Sequence, residues 1–322
     1  MHTQNIIKQP ELAFTHYALF FTTKQTIKLP VYPGSAWRGA FGNALKKTVC
    51  IIRNTPCQAC LLKSTCAYSY VFETPPPENT EKMRKYTAAP HPFVIQLSEK
   101  RQEEEVTDYQ LNLVLFGHAQ RFLPYFVHAF QKAGDDGIGG KRQVFTLEKI
   151  KQQALNGEAV SIYQHGKLSL PKQQPESILP EMPESLSINI HTPLRIKQNG
   201  KNLGPETFNF AALFSNLLRR ISMLSYFHTD TPLETDFAGL SQIARQITFK
   251  SKQLQWYDWK RYSSRQQTEM QMGGVVGSLQ LDMSGLEELW PYLWLGQWTH
   301  AGKGTSMGMG HYSLTATSLS DH

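Results

Sequence analysis

No apolar run in this 322-residue chain reaches the roughly 20 residues needed to cross a bilayer. No charged-then-apolar leader opens it either. The expected setting is therefore soluble and cytoplasmic, with no membrane partner. Histidine is absent from 17 to 90, and cysteine is absent outside residues 50–66. Two phosphate-binding signatures are missing as well. No Gly-x-Gly-x-x-Gly joins a strand to the helix it feeds, and no Gly-Lys-Ser/Thr opens a helix, which excludes the dinucleotide fold and the phosphate loop.

The chain does carry an excess of positive charge. Net charge is +7 and the isoelectric point about 9.1, so an anionic partner is expected. Hydrophobic residues make up 40%, enough for real cores, and the length suits two domains. Near the C-terminus stands a glycine-rich run, Gly302-Lys303-Gly304-Thr305-Ser306-Met307-Gly308-Met309-Gly310. It lies between an apolar helix-like stretch, Leu286 to Trp298, and a strand-like ending, His311 to Ala316. Glycine lacks a Cβ, so such a loop can turn sharply and aim backbone N–H groups at an anion, with Lys303 adding a cation. A second run, Gly134 to Arg142, also follows an apolar helix-like stretch and feeds a strand-like one, Val144 to Leu147. The same order in each half points to an internal duplication.

The first half reads as strand, helix, strand, strand, helix, strand. Ala13 to Ile27 is the first strand. Ser35 caps a helix from Ala36 to Thr48, with Trp37, Phe41, Ala44 and Leu45 on its apolar face. Pro92 to Leu97 and Tyr109 to Phe116 form the middle pair, with Glu103-Glu104-Glu105 in the hairpin between them. Phe122, Phe126, Ala129 and Phe130 mark the second helix. A peripheral hairpin and a Pro-rich linker follow. The second half repeats the order: strand Ser185 to Lys197, helix Phe208 to Phe227, strands Leu254 to Tyr262 and Val275 to Met283, then the helix and final strand already placed. Two β-α-β-β-α-β units imply tandem ferredoxin-like domains of the α+β class, over 1–175 and 176–322.

The four cysteines, Cys50, Cys57, Cys60 and Cys66, sit within 17 residues. Clustered thiols in a reducing cytosol read as a structural zinc site, an iron–sulfur cluster or free thiols being the alternatives. Four thiolates would close the zinc shell and leave no catalytic position. Lys250, Lys252, Lys260, Arg261 and Arg265 gather around Trp256, Tyr257 and Trp259. Such cations can meet phosphates while the rings stack on bases, and the plainer alternative is a strand with one solvated and one core face. Arg38, Lys141, Arg142, Arg195 and Lys303 extend the expected RNA surface, together with Gly302, Gly304, Gly308 and Gly310.

Met272-Gly273-Gly274-Val275-Val276-Gly277, with Arg261 and Arg265-Gln266, resembles the C-terminal domain of CRISPR repeat-processing endoribonucleases. So does His300-Ala301-Gly302-Lys303-Gly304-Thr305 with Gly308-Met309-Gly310. Gly34-Ser35-Ala36-Trp37-Arg38-Gly39-Ala40-Phe41-Gly42, the cysteines with Ala67-Tyr68 and Phe72-Glu73, and Pro90-His91-Pro92-Phe93-Val94 resemble the same family's cysteine-containing branch, as does Thr192-Pro193-Leu194-Arg195. These enzymes belong to the repeat-associated RNA-binding superfamily (RAMP) of paired ferredoxin-like folds, and the resemblance spans nearly the whole chain.

The resemblance implies metal-independent cleavage of pre-crRNA. The ribose 2′-OH attacks the adjacent phosphate, leaving a 2′,3′-cyclic phosphate and a 5′-OH. A histidine, whose ordinary pKa is about 6.5, suits the proton steps, and Arg or Lys the charge stabilisation. Many relatives carry the histidine near the first helix, where this chain has Asn43. His91, entering the second strand, and His300, beside the glycine loop, are the catalytic expectations, with His16 as a third. The expected partners are CRISPR repeat RNA or crRNA and other effector subunits, with no DNA contact required. The alternative is a non-catalytic subunit holding the crRNA handle, and behind it an unrelated zinc-stabilised basic protein.

Overall fold

The computed structural model describes residues 10–76, 89–97, 107–169, 179–263 and 268–317. Arg265 and the Glu103-Glu104-Glu105 hairpin lie outside them. The chain divides into two compact units, the first Ala13–Ser177 with Phe227–Thr229, the second Ile178–Tyr226 and Asp230–His322 with the residues up to Leu12.

The first unit opens on β1 (Phe14–Thr22), whose aromatic and β-branched residues suit a half-buried strand. Helix α1 (Gly34–Val49) buries Trp37, Phe41, Ala44 and Leu45, as its spacing predicts. Its cap differs from expectation: Ser35 lies in the first turn, and the Pro33 carbonyl accepts the N–H groups of Ala36 and Trp37 (2.9 and 3.1 Å). Proline's fixed φ favours that entry without a side-chain cap. The cysteine excursion and a π-helical turn, Ser69–Glu73, lead to β2 (Phe93–Leu97) and β3 (Asp108–Phe116). Helix α2 (Leu123–Asp136) and β4 (Thr146–Gln153) complete the unit, and β5 (Ala159–Gln164) with β6 (Lys167–Leu168) makes the peripheral hairpin.

Among the described residues the strands are ordered β2-β3-β1-β4-β5-β6, and every pairing is antiparallel. The first four follow the ferredoxin-like order. Tyr17, Leu19, Phe21, Leu111, Leu113 and Leu115 alternate onto one face, and α1 and α2 bury it. Phe41 stacks on both Phe126 (4.7 Å) and Phe130 (5.1 Å), which ties the helices together.

The second unit repeats the plan. Strand β7 (Ser185–Leu194) is followed by a small hairpin of β8 (Lys197–Gln198) and β9 (Lys201–Asn202), turning on Asn199-Gly200. Helix α3 (Phe210–His228) carries the expected stripe of Leu213, Leu217, Ile221 and Leu224. Helix α4 (Phe237–Gln246) was not expected; Asp236 caps it, accepting from Gly239 N–H (2.9 Å). The strand expected over 254–262 divides into an edge strand, β10 (Ser251–Tyr257), and a separate hairpin of β11 (Lys260–Ser263) and β12 (Thr268–Gln271). Strand β13 (Gly274–Asp282), helix α5 (Trp290–Thr299) and β14 (Tyr312–Ala316) close the chain, and the sheet order is β10-β13-β7-β14. Numbered within its unit, this is the order of the first sheet. The protein is a tandem of ferredoxin-like domains.

One glycine shows how tightly the last crossing is made. Gly310 has φ +72°, and a Cβ there would lie 1.8 Å from the Ala301 carbonyl oxygen. Alanine would meet both backbone strain and a hard clash. The Gly310→Ala variant is expected to lose roughly 3 kcal/mol of stability, read as a lower urea midpoint for the second unit.

Candidate functional site

In the first unit the structure brings together residues that lie far apart in sequence. Arg38 projects from α1, and its guanidinium sits 4.2 Å from the centre of the Phe72 ring. Its Nη2 is 3.0 Å from His91 Nε2. The other ring nitrogen, Nδ1, is 2.8 Å from Thr74 Oγ1. His91 also packs beside both Phe72 (6.0 Å, 30°) and Phe93 (5.9 Å, 28°), whose rings are themselves 6.4 Å apart. Gly42 makes this possible, since a Cβ at position 42 would fall 2.3 Å from the Phe72 ring.

The protonation pattern follows from the donor inventory. A guanidinium only donates, so His91 Nε2 accepts from Arg38. The neutral ring then carries its hydrogen on Nδ1 and donates to Thr74 Oγ1. The result is a half-buried histidine in one tautomer beside a fixed cation. That pair has the parts for proton transfer near a phosphate. Sequence reasoning reached Arg38 and His91 but not Thr74. The signal was only a threonine after the Phe72-Glu73 motif.

In the second unit the glycine loop is built differently from expectation. Gly302, Gly304, Gly308 and Gly310 all have positive φ, between 72° and 88°. Yet most of the loop's N–H groups are consumed inside the protein. Gly302 donates to Asn216 Oδ1 (2.6 Å), Lys303 to the Arg195 carbonyl (3.0 Å) and Gly310 to the Pro193 carbonyl (3.1 Å). Met307, Gly308 and Met309 donate back into the loop. The glycines therefore wind the loop onto β7 rather than open it as an anion cradle, and Lys303 is left as its exposed cation.

His300 caps α5 at φ +57° and is fully buried. Its Nδ1 lies 3.1 Å from the Met309 carbonyl oxygen, so Nδ1–H donates, and Nε2 has no partner. Burial, with the neighbouring His311 and Arg220, holds its pKa well below the usual histidine value. In this arrangement it reaches no solvent-borne phosphate. His16 is similar: burial lowers it to about 4, against a hydrogen bond with Asn112 that raises it, and its Nε2 is also unpartnered.

The remaining RNA-surface residues divide by what they touch. Lys141, Arg142, Lys260 and Lys303 are exposed. Trp256 and Tyr257 stand partly exposed, whereas Trp259 is core. Lys250 pairs with Asp282 (3.0 Å), and Lys252 donates to the Glu206 carbonyl (2.8 Å). Arg195 is spent on the Gln271 carbonyl (2.5 Å) and Asn202 (3.3 Å). Arg261 sits on β11 opposite Met270.

Cys50, Cys57, Cys60 and Cys66 are all half-buried free thiols. Burial raises the Cys57 pKa, and the charges of Cys50 and Cys66 add to that against an opposing Lys46. Among the described residues no three His, Cys, Asp or Glu side chains are gathered as a metal site. As placed, the thiols do not form a set fitted to zinc. Nor, among the described residues, is any helix long and apolar enough to cross a membrane.

The paired ferredoxin-like units set the class of fold. Comparison with known proteins gives the family. The model of an N-terminal domain, AF_1859_N, matches residues 12–175. That of the CRISPR-associated endoribonuclease Cas6 matches 188–312. A domain of the CRISPR-associated endoribonuclease Cas6 family thus makes up the second half of the chain, and the AF_1859_N domain makes up the first. Among solved structures, the Cas6 (TTHB231) product complex is 15% identical over 94% of this chain and 100% of its own, with a TM-score of 0.58. Thermus thermophilus Cas6 (TTHB231) is 14% identical over 95% and 99%, with a TM-score of 0.54. These likenesses bear on the fold. A curated relative, an uncharacterized protein of Archaeoglobus fulgidus, is 21% identical over 173 residues. The match takes in 52% of this chain, which spans 57% of that relative's length.

Fully buried His300 and half-buried His16 set a pH dependence. Unfolded histidine takes a proton near pH 6.5, whereas folded His300 and His16 take theirs only at lower pH. Stability is therefore intact above about pH 6.5 and falls as pH drops toward 4, at roughly 1.4 kcal/mol per pH unit for each histidine. Chemical denaturation across pH 4–8 checks this, and His16→Phe should flatten the slope.

Proposed function

We propose that the chain binds CRISPR repeat RNA and cuts pre-crRNA once, without metal, leaving 2′,3′-cyclic phosphate and 5′-OH ends. The Cas6 endoribonuclease match over residues 188–312 supports the substrate class. The observation that carries the catalytic part is the Arg38 Nη2 to His91 Nε2 contact at 3.0 Å.

RNA brings its own nucleophile, so the protein must align it and handle protons and charge. A phosphate oxygen arriving at Arg38 takes guanidinium N–H groups and frees the Nε2 lone pair. His91 Nε2 then accepts the 2′-OH proton while Arg38 faces the charged phosphorane. The same histidine, once protonated, can return a proton to the leaving oxygen. Lys141, Arg142, Lys260, Arg261, Arg265 and Lys303 bind the strand through its phosphates, Trp256 and Tyr257 offer rings to its bases, and the glycines hold Lys303 in place.

The second reading is a non-catalytic subunit that holds the crRNA handle. It is favoured by the engagement of both His91 nitrogens and by the lack of histidine from 17 to 90. Labelled repeat RNA incubated with protein and EDTA separates the two. A single cyclic-phosphate product, slowed at least about 10²-fold by His91→Ala and by Arg38→Ala, is expected. Intact RNA in a stable complex would establish the second reading instead. A solved structure described as a partial Cas6-RT-Cas1--Cas2 complex, with a TM-score of 0.54 over 98% of this chain and 48% of its own, supports assembly with further Cas subunits.

Structural zinc at Cys50, Cys57, Cys60 and Cys66 remains part of this proposal, resting on thiol chemistry and clustering. A metal would have to draw the excursion together. Elemental analysis with thiol titration is expected to give close to one equivalent of zinc and masked thiols. Less than half an equivalent with four titratable thiols removes the site.

A further inference from the structure

We propose that Thr74 is a positioning residue that holds His91 in its reactive tautomer, an inference that rests on the catalytic reading of His91 above. The backbone of Thr74 is the first observation. It is buried and left-handed, with φ 44° and ψ 55°. That region is costly for a β-branched residue and is ordinarily filled by Gly or Asn. Its N–H donates to the Ser69 carbonyl (2.7 Å), and its own carbonyl accepts from Ala89 N–H (2.8 Å), so the strained residue is pinned from both sides. A strained, over-determined position is where a side chain is kept for its function.

What the side chain does is the second observation. Thr74 Oγ1 is 2.8 Å from His91 Nδ1 and accepts its hydrogen. Nε2 is thereby left as the basic nitrogen, and it points toward Arg38. When Nε2 takes a proton, the Nδ1–H bond to Thr74 persists and steadies the imidazolium. Among the described residues the charged group in contact with the ring is Arg38 on α1 (3.0 Å), while Glu73, the chain neighbour of Thr74, has its carboxylate accepting from the Tyr68 hydroxyl (3.4 Å). Arg38 cannot take Thr74's place at Nδ1, because a guanidinium has no acceptor.

Three variants test this on labelled repeat RNA. Thr74→Gly removes the hydroxyl and relieves the left-handed strain. It is expected to lower single-turnover cleavage about 10-fold or more, leave RNA affinity unchanged and keep the thermal midpoint at or above wild type. The acidic limb of its pH–rate profile should move to lower pH, because the imidazolium has lost an acceptor. Thr74→Ser restores the hydroxyl and should return the rate and the profile. Wild-type cleavage by Thr74→Gly overturns the proposal. So does a slow Thr74→Gly whose thermal midpoint has fallen, or a Thr74→Ser that fails to rescue, since either marks a structural role. His91→Ala cutting at the wild-type rate removes the catalytic reading itself, and the two failures are told apart because that variant leaves Thr74 intact.

Discussion

The ring of Phe72 occupies the space that a side chain at position 42 would need, and the N-terminal cluster depends on that close approach. Only glycine lets the ring lie against α1. Once there, it gives the Arg38 guanidinium a face to rest on and packs beside the His91 ring. The energetics are modest at each contact. A cation–π pair contributes about 0.5–1 kcal/mol when exposed and more when desolvated. Together the contacts convert two flexible polar side chains into one fixed pair, which is what proton transfer asks of a site. The helix supplies the arginine, the π-helical turn supplies the ring and the hydroxyl, and the entry to β2 supplies the imidazole.

The two units use one strand order with different additions. In the first, a cysteine excursion separates α1 from β2, and a hairpin extends the sheet beyond β4. In the second, α4 precedes the edge strand, and a separate hairpin interrupts the path from β10 to β13. The additions fall between elements of the shared plan and leave it intact. The first unit holds the Arg38–His91 pair, and the second the glycine loop with exposed Lys303.

Much of this plan was legible in the sequence because the elements are periodic. Trp37, Phe41, Ala44 and Leu45 announce α1, and the stripe from Leu213 to Leu224 announces α3. Helix α4 escaped because it follows a polar, Pro-containing stretch and only Leu240 and Ala244 of its residues are buried. The division of 254–262 escaped because its aromatics suit a strand throughout, and nothing local marks the departure after Tyr257. At the site, the motif around Pro90-His91-Pro92 led to His91. The partnership with Thr74 is a long-range contact with no period to betray it. His300 misled for a physical reason: a histidine beside glycines looks accessible, but here the glycines wind the chain tightly over it.

A loop whose amides are mostly satisfied at home has little capacity left for reading a guest. In the second half, any contact with an anion would then fall to side chains standing outside the turn, Lys303 foremost, while the glycines hold only its shape. Such a division separates surface chemistry from backbone shape: the exposed positions can be substituted at little cost to the fold, so long as the small residues beneath them stay in place.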